Sequence, residues 1–205
     1  MKAILLNGSP KSKGCTYTAL KIIENELINE GIEVKFYEVG NKPVIGCTGC
    51  TACRKLGKCV HNDLVNEVSK EIESADGFIV GSPVHYAAAS GAATSFLDRL
   101  FYSTDKNQLR HKFGASIVSC RRGGASATFD QLNKYFTINE MPIVSSVYWN
   151  QIHGNTPEEV VQDLEGVRTM KVLARNMAYL IKCKEAAKNV PLPKLVPVER
   201  TNFIR

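Results

Sequence analysis

Along almost the whole chain, short apolar runs alternate with longer stretches of helical periodicity, and that alternation narrows the fold more than any other feature. The runs Lys2–Asn7, Glu33–Glu38, Gly77–Gly81, Gly114–Cys120 and Ile143–Tyr148 read as strands. Between and after them, Tyr17–Asn29, Asp63–Glu73, Gly91–Phe101, Ser126–Tyr135 and Pro157–Cys183 read as helices. In the first of these Leu20, Ile23, Leu27 and Ile28 form one apolar stripe, and Pro157 suits the first turn of the last. Strands that each hand over to a helix build βαβ units, because parallel neighbours need a crossover. The expectation is a doubly wound α/β domain over residues 1–188, with a five-stranded parallel sheet of order 2-1-3-4-5 and helices on both faces. Residues 189–205 carry Pro191, Pro193 and Pro197, which exclude a helix and predict an extended tail.

The totals agree with that picture. A chain of 205 residues suits one domain, and 44% hydrophobic with 22% charged residues is the balance of a globular protein. No apolar run is long enough to span a membrane, and the N-terminus lacks the pattern of a secretory signal, so a cytoplasmic protein without membrane contact is expected. In that compartment the seven cysteines are not disulfide staples, and metal ligation or plain burial is the default. The net charge of +6 is scattered and accompanied by no nucleic-acid recognition motif. Nucleic acid is therefore not expected as a partner, whereas an anionic nucleotide suits a mild positive field.

Directly after the first strand stands Asn7-Gly8-Ser9-Pro10-Lys11-Ser12-Lys13-Gly14-Cys15-Thr16, which leads into the first helix. A loop from a strand's carboxyl end to a helix N-terminus presents free backbone N–H groups and the positive end of a dipole, and Ser9, Ser12 and Thr16 add hydroxyls. This is a phosphate cradle, or else a polar turn with a threonine cap. It follows neither the ATPase pattern GxxxxGK with Ser or Thr nor the dinucleotide pattern GxGxxG. Two more loops, Gly81-Ser82-Pro83-Val84-His85-Tyr86 after the third strand and Ser119-Cys120-Arg121-Arg122-Gly123-Gly124 after the fourth, converge with it at the point where the strand order reverses.

Cys47, Cys50, Cys53 and Cys59 are spaced C-x2-C-x2-C-x5-C between the second strand and second helix. Four thiolates that close can enclose a compact metal centre, and the first three repeat the ferredoxin spacing around a cubane cluster. Structural zinc would accept the same ligands, and four reduced thiols without metal are the third reading. Gly46, Gly49 and Gly57 ease the turns, and Arg54, Lys55 and Lys58 are placed to offset a cluster's negative charge. Cys183, inside a helix, is expected to be buried as a small apolar residue.

The loop G-S-P-x-x-x-G-x-T resembles the flavin-phosphate loop of the NAD(P)H-dependent FMN reductases, whose usual form is GSPRxxGNT, with Cys15 standing in place of the Asn. Ser82 to Tyr86 resembles the family's SPVY segment beside the isoalloxazine ring, with His85 in place of the Tyr. The cysteine spacing resembles that of the iron-sulfur flavoproteins, in which a [4Fe-4S] cluster accompanies FMN on a flavodoxin-like fold. The resemblance runs on through Tyr148–Gly154, Asn176-Met177 and Thr201–Arg205, and so covers nearly the whole chain.

It implies FMN as cofactor, held by Ser9, Lys11, Ser12, Cys15, Thr16, Ser82, Pro83, Val84, His85, Tyr86, Cys120, Arg121, Arg122, Gly123 and Gly124. It implies NAD(P)H as hydride donor and a quinone, a nitro or azo compound, or a protein as acceptor. His85 is the histidine placed by the ring, as proton donor or as flanking group. A [4Fe-4S] cluster on Cys47, Cys50, Cys53 and Cys59 would make the chain, in the alternative reading, an electron carrier between proteins with a ferredoxin-like partner. A homodimer or homotetramer is implied as well.

Overall fold

The computed structural model describes residues 1–197, 199, 201 and 203. Strand β1 (Lys2–Asn7) is buried along its length because its apolar run faces helices on both sides: Ala3 and Leu5 point into one core, Ile4 and Leu6 into the other. β1 pairs in parallel with β2 (Glu33–Glu38) and with β3 (Gly77–His85). β3 pairs in parallel with β5 (Phe113–Cys120), and β5 with β6 (Gln151–His153), so the sheet runs β2-β1-β3-β5-β6. A two-residue strand, β4 (Ala88–Ala89), folds back antiparallel onto the end of β3 and lies off that path. With β4 set aside, this is the predicted order, with one helical layer on each face.

Helices α1 (Cys15–Asn29) and α8 (Leu164–Ala186) cover one face, where Leu20, Ile23 and Leu27 meet Leu173, Met177 and Ile181 over Ile79 and Ile117. On the other face α3 (Leu64–Ser74), α4 (Gly91–Ser103) and α6 (Ala125–Thr137) pack Ile72, Phe96, Leu100 and Phe136 against Phe78 and Val118. Three single-turn helices complete the chain: α2 (Cys53–Leu56), α5 (Lys106–Leu109) and α7 (Pro157–Val160).

Two expectations are corrected. The run Ile143–Tyr148 is not the fifth strand: Ile143 bridges to Gly114 and Val144 is buried on the sheet, but the chain then leaves for the surface, where Val147, Tyr148 and Trp149 are half exposed. The strand is β6, whose single fully buried residue, Ile152, is flanked by polar Gln151 and His153, so its apolar run was too short to read. Nor is Pro157–Cys183 one helix. Thr156 caps α7, and Asp163 restarts the chain as α8 by accepting from the Gly166 N–H while its other oxygen accepts from the His153 N–H at 2.7 Å. Cys183 is exposed on the outer face of α8 rather than buried. The described tail residues beyond Pro191 are exposed and without regular structure; Val198, Arg200, Asn202, Ile204 and Arg205 lie outside the described residues.

Glycine sets the distance between α1 and the sheet. A Cβ on Gly81 would sit 2.9 Å from Leu20 Cδ1 and from Thr16 Cγ2, so α1 rests directly on the β3 backbone. Gly81→Ala is expected to lower the urea midpoint by the equivalent of about 1–3 kcal/mol with an unchanged slope. Gly91→Ala, where a Cβ meets open space in the first turn of α4, is expected to be neutral or stabilising by up to about 1 kcal/mol in the same titration.

Candidate functional site

Because β1, β3 and β5 are parallel, their carboxyl ends open on one edge of the sheet, and the crossovers on either side of β1 leave to opposite faces there. An open cleft lies at this edge, walled by Ser9 to Lys11, Cys15 and Thr16 from the first loop, Pro83 to His85 from the second, and Ser119 to Arg121 from the third. Gly154 and Asn155, just past β6, close its far side.

The first loop is held from beneath. The Gly8 N–H donates to Gly81 O at 2.8 Å, and Ser90 Oγ donates to Gly8 O at 2.6 Å. Asn7, fully buried, accepts from the Ser9 N–H through Oδ1 and leaves its Nδ2 without a partner in the chain. Ser9 Oγ accepts from the Lys11 N–H. Gly40 lies against the same turn so closely that a Cβ there would fall 2.2 Å from Ser9 O. Helix α1 then starts at Gly14 with no side-chain cap, which leaves its first-turn N–H groups open to the cleft. Thr16 does not cap it: its hydroxyl is 2.7 Å from Ser119 Oγ and ties the loop to the end of β5.

The second loop is a hairpin between β3 and β4 with Tyr86 (φ 51) and Ala87 (φ 58) at its tip, both left-handed, as a type I′ turn requires. Tyr86 is fully exposed there. Gly124 (φ 93) packs on this hairpin, and a Cβ would lie 2.8 Å from Ala87 Cα, so glycine is needed both for the conformation and for the contact. The N-terminus of α6 also lacks a side-chain cap.

Of the predicted binding residues, Ser9, Lys11, Cys15, Thr16, Pro83, Val84, His85, Cys120 and Arg121 line the cleft. Tyr86, Arg122, Gly123 and Gly124 are not among the residues that line it. Ser82 sits behind the wall, fully buried, donating to Pro83 O and accepting from the Ser90 N–H. Ser12 accepts from Asn41 Nδ2. Pro10, Ser119, Gly154 and Asn155 also line the cleft: the first two lie inside the loops read from the sequence but outside the expected binding set, and the last two follow a strand whose shortness hid it.

Burial pushes the Cys15 and Cys120 thiols up from their usual range, so both are neutral thiols at neutral pH and neither is activated as a nucleophile. Cys120 Sγ lies 3.4 Å from His153 Nδ1.

A second, shallow pocket is lined by all four clustered cysteines together with Arg99, Tyr102 and Ser103 from α4. Thr51, Gly49 and Gly57 take left-handed conformations that fold this loop tightly. Cys59 is fixed on both sides, its N–H donating to Asn66 Oδ1 and its carbonyl accepting from Asn66 Nδ2. Cys53 Sγ reaches Tyr102 O at 3.9 Å. The Ala52 N–H and the Thr48 hydroxyl lower the Cys50 thiol. The hydroxyl of buried Ser103 has no partner in the chain. As folded here the sulfurs line the wall without converging, and among the described residues no three Cys, His, Asp or Glu groups close on a common metal position.

The cation of this pocket differs from the expected ones. Arg54, Lys55 and Lys58 are exposed, and the guanidinium that reaches sulfur belongs to Arg99, which is 2% exposed. Arg99 makes a fork with Asp63 at 2.7 and 2.9 Å, and Asp63 also caps α3. Partial burial alone would raise the Asp63 carboxyl, but the Arg99 and Val65 N–H bonds hold it below its ordinary range.

Residues 1–156 match the family model of the NADPH-dependent FMN reductases. An iron-sulfur flavoprotein of Methanocaldococcus jannaschii is 32% identical over 89% of this chain and 98% of its own length. A second from the same organism is 29% identical over 90% of this chain and 98% of its length. A flavodoxin from the domain Archaea superposes with a TM-score of 0.61 at 16% identity over 89% of this chain and 99% of that one, which identifies the fold as flavodoxin-like. The chain therefore belongs to the NADPH-dependent FMN reductase family of flavoprotein oxidoreductases, alongside its iron-sulfur flavoproteins.

Proposed function

We propose that the chain holds FMN in the cleft at the sheet's carboxyl edge, its phosphate against the N-terminus of α1, and passes electrons from NAD(P)H to a quinone, a nitro or azo compound, or a protein. The observation that carries this reading is the uncapped helix start, which opens beside Lys11 into a cleft whose wall, among the described residues, includes no acidic group. The bound flavin supplies hydride acceptance and electron transfer; the chain's part is to bind and orient it. Lys11 opposes the phosphate charge, and Thr16, fixed by Ser119, faces it with a pre-set hydroxyl. Pro83 and Val84 offer an apolar wall, Tyr86 a flat face, and the amides of Gly123 and Gly124 a polar edge. His85 stands where it can hand on a proton.

We further propose a [4Fe-4S] cluster on Cys47, Cys50, Cys53 and Cys59. Support comes from the four thiols on one wall, the donors on Cys59, the orphan hydroxyl of Ser103 and the names of the full-length relatives. A cluster there would also support a second reading, an electron carrier relaying single electrons between protein partners through the cluster and FMN. A homodimer or homotetramer is proposed on the half-exposed Tyr148–Trp149 pair and its apolar neighbours.

Calorimetry with FMN tests the cleft. Uptake by the native chain is expected, and Lys11→Glu is expected to weaken it at least tenfold, about 1.4 kcal/mol, with a reduced dependence on salt. Equal affinity in the two proteins would remove the phosphate from this loop. For the electron source, rapid anaerobic bleaching of the flavin band by NADH or NADPH is expected, and reduction by ferredoxin-like donors alone would leave only the carrier. Protein prepared without oxygen is expected to hold about four irons and four sulfides per chain, both lost in Cys59→Ala.

A further inference from the structure

Among the described residues Arg99 is the one charged side chain that is buried, and all five of its guanidinium N–H groups are engaged. Nη1 donates to Asp63 Oδ2 at 2.7 Å and to Ile45 O at 3.3 Å. Nη2 donates to Asp63 Oδ1 at 2.9 Å and to Cys59 Sγ at 3.3 Å, and Nε donates to the same sulfur at 3.3 Å. Three of the five bonds need no further account: two hold the carboxylate that caps α3, and one fastens the irregular segment leading into the cysteine loop at Ile45.

The remaining two converge on one sulfur. A protein would gain little from directing two charge-assisted donors at a neutral thiol, which is a weak acceptor. The same arrangement is favourable when the sulfur carries the negative charge of a metal ligand. Cys59 is also the cysteine whose backbone is clamped at both N–H and carbonyl by Asn66, so its sulfur is placed before any ligand arrives. Cys47 and Cys50, by contrast, lie on the exposed side of the loop.

We infer that Arg99 is the positioning residue of the cysteine pocket: it holds Cys59 as a pre-set ligand and, through its charge and two N–H bonds on that sulfur, raises the reduction potential of the iron-sulfur group. This rests on the iron-sulfur reading above. Hydrogen bonds and positive charge at a ligand sulfur favour the more negative, reduced state of a cluster. Asp63 acts oppositely, its carboxylate offsetting part of the guanidinium charge. The two partners of one ion pair should therefore move the potential in opposite directions, which loss of structure alone would not do.

The experiment is a redox titration followed by electron paramagnetic resonance on anaerobically prepared full-length protein, with iron and sulfide assayed on each sample. Arg99→Gln is expected to lower the reduction equilibrium about tenfold, ~59 mV for a one-electron couple. Asp63→Asn, which keeps an equally good helix cap, is expected to shift it upward. Unmoved potentials at full iron content, or shifts of the same sign in both variants, overturn the inference. Should Arg99→Gln not fold, Asp63→Asn decides alone, with an upward shift in support and any other result against. Native protein without iron and sulfide would overturn the iron-sulfur reading itself, an outcome visible before any variant is titrated.

Discussion

The structure depends on the pairing of β1 with β3. These two strands are neighbours, yet the crossovers flanking β1 leave on opposite faces, so the loops at their carboxyl ends part instead of packing together. What opens between them is a gap bounded by backbone. The chain seals its floor with the Gly8 to Gly81 hydrogen bond and the Ser90 bond to Gly8, and brings α1 close by leaving no side chain on Gly81. An anion-attracting helix start then faces the gap because nothing in the loop caps it.

Much of this was legible in the residues. KAILLN and FGASIVSC are apolar on both faces, as only a central parallel strand needs to be, and the bounds of β1 and β2 follow directly from their runs. The three loops of the cleft could be located because each follows such a strand. The fifth strand was hidden by chemistry: β6 needs only Ile152 to be apolar, while the more apolar Ile143–Tyr148 stretch buries Val144 but leaves Ile143, Val147 and Tyr148 exposed.

Arg99 was hidden for a different reason. In Phe96-Leu97-Asp98-Arg99-Leu100 a charged pair interrupts a helical apolar pattern, and such pairs ordinarily face water. Its burial is decided by Asp63 and Cys59, 36 and 40 residues earlier, and no local pattern reports a partner at that distance. The residue types were visible, whereas their meeting was a property of the fold. Basic residues adjacent to the cysteines in sequence were the natural candidates, and they point outward instead.

Helix α4 joins the two sites. Ser90, at its N-terminus, braces the cleft floor; Arg99, Tyr102 and Ser103, two turns and more along, line the cysteine pocket. The axial rise from Ser90 to Arg99 is about 13 Å, held by a helix whose inner face is packed throughout. The spacing between the two sites is thus as rigid as the core beneath them.

The close approach of Gly40 to Ser9 bears on how such a protein could be assembled from parts. The segment carrying the cysteines leaves the sheet pressed against the turn that opens the cleft, and it returns at Asp63, bolted to α4. It is spliced into the scaffold at both ends rather than hung from it. Grafting the cysteine segment onto a plain scaffold, or excising it from this one, would redraw the neighbouring turn as well, so the two pockets are structurally interdependent.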